Sequence, residues 1–498
     1  MMERREFFKK SFGKTKEIMM SVKNAILVLF SVAVSAVSLA KPLSADFTKE
    51  TRPINRALHS SGYAPKVTMS NRNEIKAFSF EYTRTHDLAL FDSAQRILDT
   101  YFIFPLMHLD AKDPKNYFFD ATDYQLKLIQ DNGSKVFYRL GVSIEHTGPK
   151  VHFNSLIPND FDKMAEVFAG TIRHYRKGWA NGFNWDIKYW EIWNEPDGVN
   201  NMWCLPDGDG TRGTPDFQVK DKKRRDLFCK FFVTCLKRLK SEFPDAKIGG
   251  PALTHARIDY FRALLNECKK AGVAPDFLSW HYYGNNVDNM IYDAEKVRKL
   301  FDEFGFKNCE LIVNEWHFLG AYGWNGLNSS PGSKNSKNVW NGPGSHNGID
   351  SSCFTLSVLS RLQTSKYKQA YFYGCNPTGA WGYRGANGKK HKVGNALLMF
   401  GSIMRDCGMI CASTREGTVT TFAAKKHNRS EGWLLVSDYG GKGDTIEVDV
   451  KGAKRVVSAT ILDYERDIAP VDVKFENGKL TLKKAIKGSA AFLVKFAL

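Results

Sequence analysis

The sequence predicts an α/β chain: a (β/α)8 TIM barrel over residues 41–405, then an all-β domain, read as a β-sandwich, over residues 406–498. Three observations predict it. Short β-like runs alternate with longer amphipathic helical patterns from about residue 54 to residue 405. After Gly408 the pattern changes to short alternating runs separated by turn residues. No Gly-rich nucleotide loop follows the first strand, as a doubly wound sheet would usually carry.

Parallel neighbouring strands need a crossover, and the intervening helices supply it. A first barrel strand is expected near Ile54–Leu58. Further strands are read at Phe78–Arg84, Lys135–Gly141, Ile187–Trp193, Lys247–Gly250, Phe277–Tyr283, Glu310–Asn314 and Gln369–Tyr373. Helices are read at Ala121–Gln130, Phe161–Tyr175, Lys223–Phe243, Ala256–Ala271, Ala294–Phe304 and Ser351–Leu362. Eight β units separated by helices fit a closed barrel. In the last 90 residues, strands are expected at Thr418–Ala424, Trp433–Asp438, Thr445–Val450, Arg455–Leu462, Val471–Phe475, Lys479–Leu482 and Ala490–Phe496. Gly440-Gly441, Asn477-Gly478 and Lys487-Gly488 are the turn signals between them.

The composition, 43% hydrophobic and 25% charged, excludes a collagen, a disordered chain and a disulfide-stapled miniprotein. The aromatic content is high, with 35 Phe, 19 Tyr and 11 Trp, which suits a large core or surfaces that stack on flat ligands. Residues 1–40 read as a secretory signal peptide. Ala25 to Val37 is apolar, Lys14, Lys16 and Lys23 precede it, and Ser38-Leu39-Ala40 offers the small residues of a cleavage site. The run is too short to span a bilayer, so the expectation is a secreted or periplasmic protein with no membrane span after cleavage. Nine cysteines without a C-x-x-C pair exclude the zinc-ribbon and thioredoxin readings. They leave room for one or two disulfides.

Two motifs carry chemistry. Tyr189-Trp190-Glu191-Ile192-Trp193-Asn194-Glu195-Pro196 runs a strand into a carboxylate, and the proline ends the strand just after Glu195. Leu311-Ile312-Val313-Asn314-Glu315-Trp316 does the same three β/α units later. Ends of the fourth and seventh strands face each other across a barrel mouth. Two facing carboxylates can cleave a glycosidic bond: one, protonated, assists the leaving oxygen, and the other, ionised, attacks the anomeric carbon. A neighbouring negative charge raises the proton affinity of the acid.

These motifs resemble those of the clan A glycoside hydrolases, and the set resembles glycoside hydrolase family 39, the β-xylosidase and α-L-iduronidase family. Thr83-Arg84-Thr85-His86-Asp87, Ile248-Gly249-Gly250-Pro251-Ala252 and Trp280-His281-Tyr282-Tyr283 support the resemblance. It implies Glu195 as general acid/base, Glu315 as nucleophile, and Asn194 on the sugar 2-hydroxyl. It also implies Arg84 and His86 as a strand-two pair, with His281 and Tyr283 beside the nucleophile. Asn314 departs from the threonine that often precedes the family's nucleophile. The function expected is a retaining glycoside hydrolase working by double displacement. A transglycosylase of the same clan and a catalytically silent carbohydrate-binding barrel stay open as alternatives.

Trp316, Trp324, Trp340 and Trp381 are candidate sugar-stacking residues, with ordinary packing as the competing reading; Trp316 and Trp381 are counted as substrate-binding. Two long loops, Asp197–Gln218 with Trp203 and Leu319–Asn347 with Tyr322, Trp324 and Trp340, should lie on the C-terminal face of the barrel. Glu81 and Glu145 are weaker carboxylate candidates, lacking the Asn-Glu-Pro context. Asp207-Gly208-Asp209-Gly210 lacks the spacing and the terminal Glu of a calcium loop, and no His cluster has zinc-ligand spacing, so no metal and no cofactor is expected. The formal charge of +18, dense at Lys220–Arg225, admits an acidic polysaccharide partner or a solvated helix face. No nucleic-acid-binding motif is present.

Overall fold

The computed structural model describes residues 42–62, 71–86, 96–143, 156–199, 202–320, 323–324, 344–376, 381–385 and 388–498. Residues 44–498 make one compact unit. The predicted signal segment, Glu145, Tyr322 and Trp340 lie outside the described residues.

Strand β1 (Ser44–Pro53) comes first and belongs to the all-β domain. Eight parallel strands then close a barrel: β2 (Ser60–Ser61), β3 (Tyr82–Thr85), β4 (Lys135–Leu140), β5 (Tyr189–Ile192), β6 (Lys247–Leu253), β7 (Phe277–Gly284), β8 (Glu310–Phe318) and β9 (Gln369–Phe372). The barrel closes where β2 pairs with β9, Ser61 opposite Phe372. Among the outer helices are Asp120–Asp131, Phe161–Lys177, Pro215–Glu242, Ile258–Lys270, Val287–Phe304, Ile349–Leu362 and Lys392–Asp406. Ile54–Leu58 is not the first strand: Arg56–Leu58 is a 3-10 turn capped by Asn55, whose side chain accepts from the Ala57 N–H, and the strand follows it. Two serines carry too little β pattern to announce a strand.

The barrel interior is layered, because alternate residues of a strand face the same side. At the bottom lies an aromatic plug of Phe137, Tyr189, Phe277, Ile312 and Tyr371, with Tyr82 against it. Two residues further along the same strands stand Arg84, Glu191, Ser279 and Asn314, all buried and all polar. The plug therefore carries a polar floor, and the site rests on it.

The all-β domain adds β10 (Cys407–Ser413), β11 (Arg415–Glu416), β12 (Val419–Lys426), β13 (Glu431–Asp438), β14 (Thr445–Lys451), β15 (Arg455–Leu462), β16 (Ala469–Pro470), β17 (Lys474–Glu476), β18 (Lys479–Lys483) and β19 (Ala490–Ala497). Its order is β16-β15-β19-β13-β12-β10-β1-β14-β18-β17, with β11 on β12. β14 shows the two-residue period plainly, with Ile446, Val448 and Val450 buried and their neighbours exposed. Phe475 on β17 meets Phe496 on β19 with ring centroids 5.2 Å apart. β17, at one end of the order, thus lies against β19, third from the other end, and the sheet folds over on itself as a sandwich does. β1 was expected within the barrel segment 41–405; it lies instead between β10, antiparallel, and β14, parallel.

Helix Ile349–Leu362 joins the two parts. Ser357 Oγ donates to Ser437 Oγ at 3.2 Å, Ser437 Oγ donates to the Cys353 carbonyl at 2.9 Å, and Phe354 stacks edge-on against Tyr439. All nine cysteines are buried free thiols, so the disulfides allowed for above do not form. Among the described residues no helix is long and apolar enough to cross a membrane. Ending the chain at Asp406 would leave β1 without either partner and uncover the apolar face of Ile349–Leu362. The expected product is an aggregating barrel that binds a hydrophobic dye and lacks a near-UV dichroism signal. A soluble truncated barrel with cooperative unfolding would contradict this arrangement.

Candidate active site

The fourth barrel strand, β5, delivers the first carboxylate through an unusual turn. Trp193 and Glu195 both have positive φ, 75° and 43°. Such conformations cost about 1–3 kcal/mol each for residues with a Cβ and persist only where the surroundings hold them. Here the Trp193 N–H donates to the Leu140 carbonyl at 2.8 Å and the Glu195 N–H to the Ala252 carbonyl at 2.9 Å. The Trp193 indole N–H donates to the Met202 carbonyl at 2.7 Å. Gly141 lets the indole in, since a Cβ there would come within 2.8 Å of the ring. Arg224, fully buried in helix Pro215–Glu242, donates to the carbonyls of Pro196, Gly198 and Trp203 and fixes the loop after Glu195. Its place in a basic run concealed this role.

The seventh barrel strand, β8, delivers the second carboxylate through a bulge. Val313 pairs with Trp280 and Glu315 with His281, so one extra residue, Asn314, sits between them. Bulges re-aim side chains beside active sites. Here Asn314 and Glu315 both face the barrel interior. Trp316 consequently turns outward, fully buried against Phe372, and is not the substrate-binding residue expected of it. Without the bulge, strict alternation would have placed Trp316 inside.

One guanidinium ties the set together. Arg84 Nε donates to Glu191 Oε2 at 2.7 Å, Nη1 to Glu315 Oε1 at 2.8 Å and Nη2 to Asn194 Oδ1 at 2.7 Å. Burial alone would weaken its hold on the proton; the charges of Glu191 and Glu315 outweigh that and keep it above its usual range. Tyr283 Oη donates to Glu315 Oε2 at 2.8 Å, and His86 Nε2 lies 3.4 Å from Glu315 Oε1. Burial, reinforced by Glu315, pushes the Tyr283 phenol well above its ordinary range, so it remains a donor. His281 Nδ1 stands 2.8 Å from Glu195 Oε1 and 3.3 Å from Glu315 Oε2. Burial lowers that imidazole to about 4 against the opposing pull of Glu315. A neutral ring therefore lies between the carboxylates. One oxygen of Glu195, one of Glu315 and one nitrogen of His281 all lie within 4.8 Å of one another.

The structure thus brings Arg84, His86, Asn194, Glu195, His281, Tyr283 and Glu315 to one place. Trp381 stands edge-on to Tyr283 and Tyr373, ring centroids 5.8 and 5.1 Å away, and Trp324, 48% exposed, lies 5.0 Å from Tyr283. These rings form an aromatic wall on the Glu315 side. Trp203 is not part of it: its ring is buried among Trp193, Phe228 and Phe231. Glu81 pairs with Arg56 and Lys135, below the plug. Glu191 and Ser279 of the polar floor went unnoticed in the sequence. The one available sign was an acid alternating with Tyr189 in a strand.

The trio Glu195, His281 and Glu315 is the one cluster among the described residues close enough to hold a metal ion. A guanidinium 2.8 Å from a ligand carboxylate already supplies the counter-charge that a cation would bring. Asp207 and Asp209 face Lys220 and Arg224. The basic run Lys220–Arg225 is largely ion-paired, including Lys222 with Asp226 and Arg225 with Asp226 and Asp259.

No family model matches the chain. A curated β-xylosidase from Geobacillus stearothermophilus is 27% identical over 180 residues, which covers 32% of this chain and 32% of the relative. The match therefore spans about a third of each protein. Among solved structures, a glucosidase from Croceicoccus marinus superposes with a TM-score of 0.69 at 16% identity, covering 92% of this chain and 98% of that one. An α-L-arabinofuranosidase from Thermotoga maritima reaches 0.59 at 12% identity, covering 92% and 100%. A GH30 endoxylanase from Clostridium papyrosolvens reaches 0.57 at 12% identity, covering 92% and 99%. In motifs, fold and local sequence the chain is similar to the clan A glycoside hydrolases.

Four buried histidines give the molecule an acid-sensitive window. Burial lowers His59 and His281 to about 4, His346 to about 3, and His317 well below its usual value. An unfolded histidine titrates near 6.5, so between these values the unfolded chain binds more protons. Stability present above pH 6.5 is lost as pH falls toward 4, each ring adding to the slope. Calorimetry across this range should show the melting temperature falling steadily. A flat profile between pH 6.5 and 4.5 would contradict the neutral buried rings.

Proposed function

We propose that this protein is a retaining glycoside hydrolase that cleaves O-glycosidic bonds by double displacement, with a β-xylosidase- or iduronidase-like substrate range. The carrying observation is the approach of one oxygen each of Glu195 and Glu315 within 4.8 Å at the barrel mouth. Carboxyl separations of ~5–5.5 Å accommodate direct attack, whereas inversion needs room for an intervening water. Glu315, held by Arg84, His86 and Tyr283, is the nucleophile. Its two oxygens accept charged and phenolic donors, which fix the attacking lone pair. Glu195 stands on the turn beyond the strand with the neutral His281 beside it, and it is the group that protonates the leaving oxygen and later draws a proton from water. Asn194 has its carbonyl committed to Arg84, which aims its amide as a donor at the sugar 2-hydroxyl.

The name of the Geobacillus relative favours a xyloside as substrate. The basic charge leaves an acidic polysaccharide as a further arm of the substrate panel. Export is proposed on residues 1–40 alone.

Glu315→Gln should abolish turnover of every substrate, by at least about 10³-fold. Glu195→Ala should slow natural glycosides far more than aryl glycosides with good leaving groups, which need little protonation. Azide should restore part of the Glu195→Ala turnover and give a glycosyl azide of retained configuration. Unchanged activity in Glu315→Gln would remove the assignment.

A further inference from the structure

The polar floor holds a carboxylate that the reaction does not use. Glu191 is fully buried on β5, four residues before Glu195, and below the place where a sugar would sit. Its Oε1 accepts from Ser279 Oγ at 2.6 Å and Asn314 Nδ2 at 2.7 Å, and its Oε2 from Arg84 Nε at 2.7 Å. Both oxygens are thus filled by donors from three other strands, β7, β8 and β3. Desolvating a carboxylate this completely is costly, and the cost is offset only where partners are well placed. A glutamine could hydrogen-bond to Ser279 but would leave the guanidinium facing one carboxylate instead of two.

That charge count matters for the reaction. Arg84 is a single positive charge between Glu191 and Glu315. The other titratable groups facing these carboxylates are His86 from the turn after β3, Arg139 from β4 with its partner Asp99, Tyr283 and His281 from β7, Glu195 after β5, and Tyr371 from β9. The imidazole of His281 is neutral, and Tyr283 and Tyr371 are held as neutral phenols by burial. With Arg139 matched by Asp99, the floor then carries Arg84 as one positive charge against the two negative ones of Glu191 and Glu315. The surplus negative charge sits beside Glu195, where it favours a protonated carboxyl.

We propose that Glu191 is a positioning residue that sets the working pH of the reaction: by compensating Arg84 it leaves Glu315 enough uncompensated charge to keep the Glu195 proton in place. The inference rests on the function proposed above. It reaches Glu195 and Glu315 through Arg84, and Glu191 never touches the sugar. Without its charge, Arg84 stabilises the ionised forms of both Glu315 and Glu195. Both apparent pKa values of the pair then move down, and the whole bell of kcat/KM against pH is displaced to the acid side. A residue that merely braced the floor would lower the bell without displacing it.

The test compares Glu191→Gln, which removes the charge, with Glu191→Asp, which keeps it. Both are made in the full chain, checked for folding by melting temperature, and assayed for kcat and KM on an aryl xyloside. Glu191→Gln should move both limbs about one pH unit to the acid side, lower kcat about tenfold at neutral pH and leave KM within about threefold. Glu191→Asp should keep both limbs where the wild type has them, at reduced height. A folded Glu191→Gln protein with limbs in the wild-type place overturns the inference. Should Glu191→Gln not fold, Glu191→Ala, which also removes the charge, is read in its place: limbs displaced to the acid side support the role of the charge, and limbs in the wild-type place overturn it. A wild-type protein that turns over neither this xyloside nor any other glycoside overturns the proposed function and, with it, this inference; a wild-type bell with an unmoved Glu191→Gln bell overturns this inference alone.

Discussion

The three-way engagement of Arg84 is the interaction on which the rest of the site depends. A guanidinium is planar and presents its donors in a fixed fork, so three acceptors around it must hold fixed places relative to one another. Here the acceptors are Glu191 and Asn194, from the strand and turn around Glu195, and Glu315, from the strand opposite. Neither carboxylate-bearing strand can slide without breaking a charged hydrogen bond made by the fully buried Arg84. Such breakage costs about 3–5 kcal/mol because it strands a buried charge. The barrel supplies the scaffold, and Arg84 turns it into a fixed distance between two acids.

Local backbone departures complete that arrangement. The positive φ at Trp193 and Glu195 lifts one acid out of the strand, and the bulge at Asn314 turns the other inward. Both departures are held by neighbouring backbone carbonyls or paired strands. The aromatic plug beneath excludes water from below, which strengthens each electrostatic contact above it. The all-β domain contributes from outside, by covering helix Ile349–Leu362, which directly precedes β9.

The features legible in the sequence were those carried by local pattern. The (β/α)8 alternation follows from hydrophobic periodicity, and Arg455–Leu462 is a strand over the very residues read as one. Glu195, Glu315, Arg84, His86, His281 and Tyr283 stand in short motifs at strand ends, and the barrel gathers strand ends by its geometry. Interactions between distant residues were not legible. Glu191 depends on Arg84, Ser279 and Asn314, which lie 107, 88 and 123 residues away in the chain. Arg224 reads as one more charge in a basic run until its carbonyl partners are seen. Trp316 was misread because a bulge leaves no mark in a hydrophobic pattern. β1 was misassigned because an edge-free place between β10 and β14 is a property of the whole sheet.

The central claim is that Glu315 forms a covalent bond to the sugar. It is tested most directly by treating the full chain with an activated 2-deoxy-2-fluoro xyloside, whose fluorine slows breakdown of such an intermediate, and measuring intact and peptide masses. The account predicts a mass increase of one fluorosugar per chain, located by fragmentation to Glu315, in an enzyme that releases xylose with its anomeric configuration retained. No adduct, together with release of the inverted anomer from the same aryl xyloside, would contradict it.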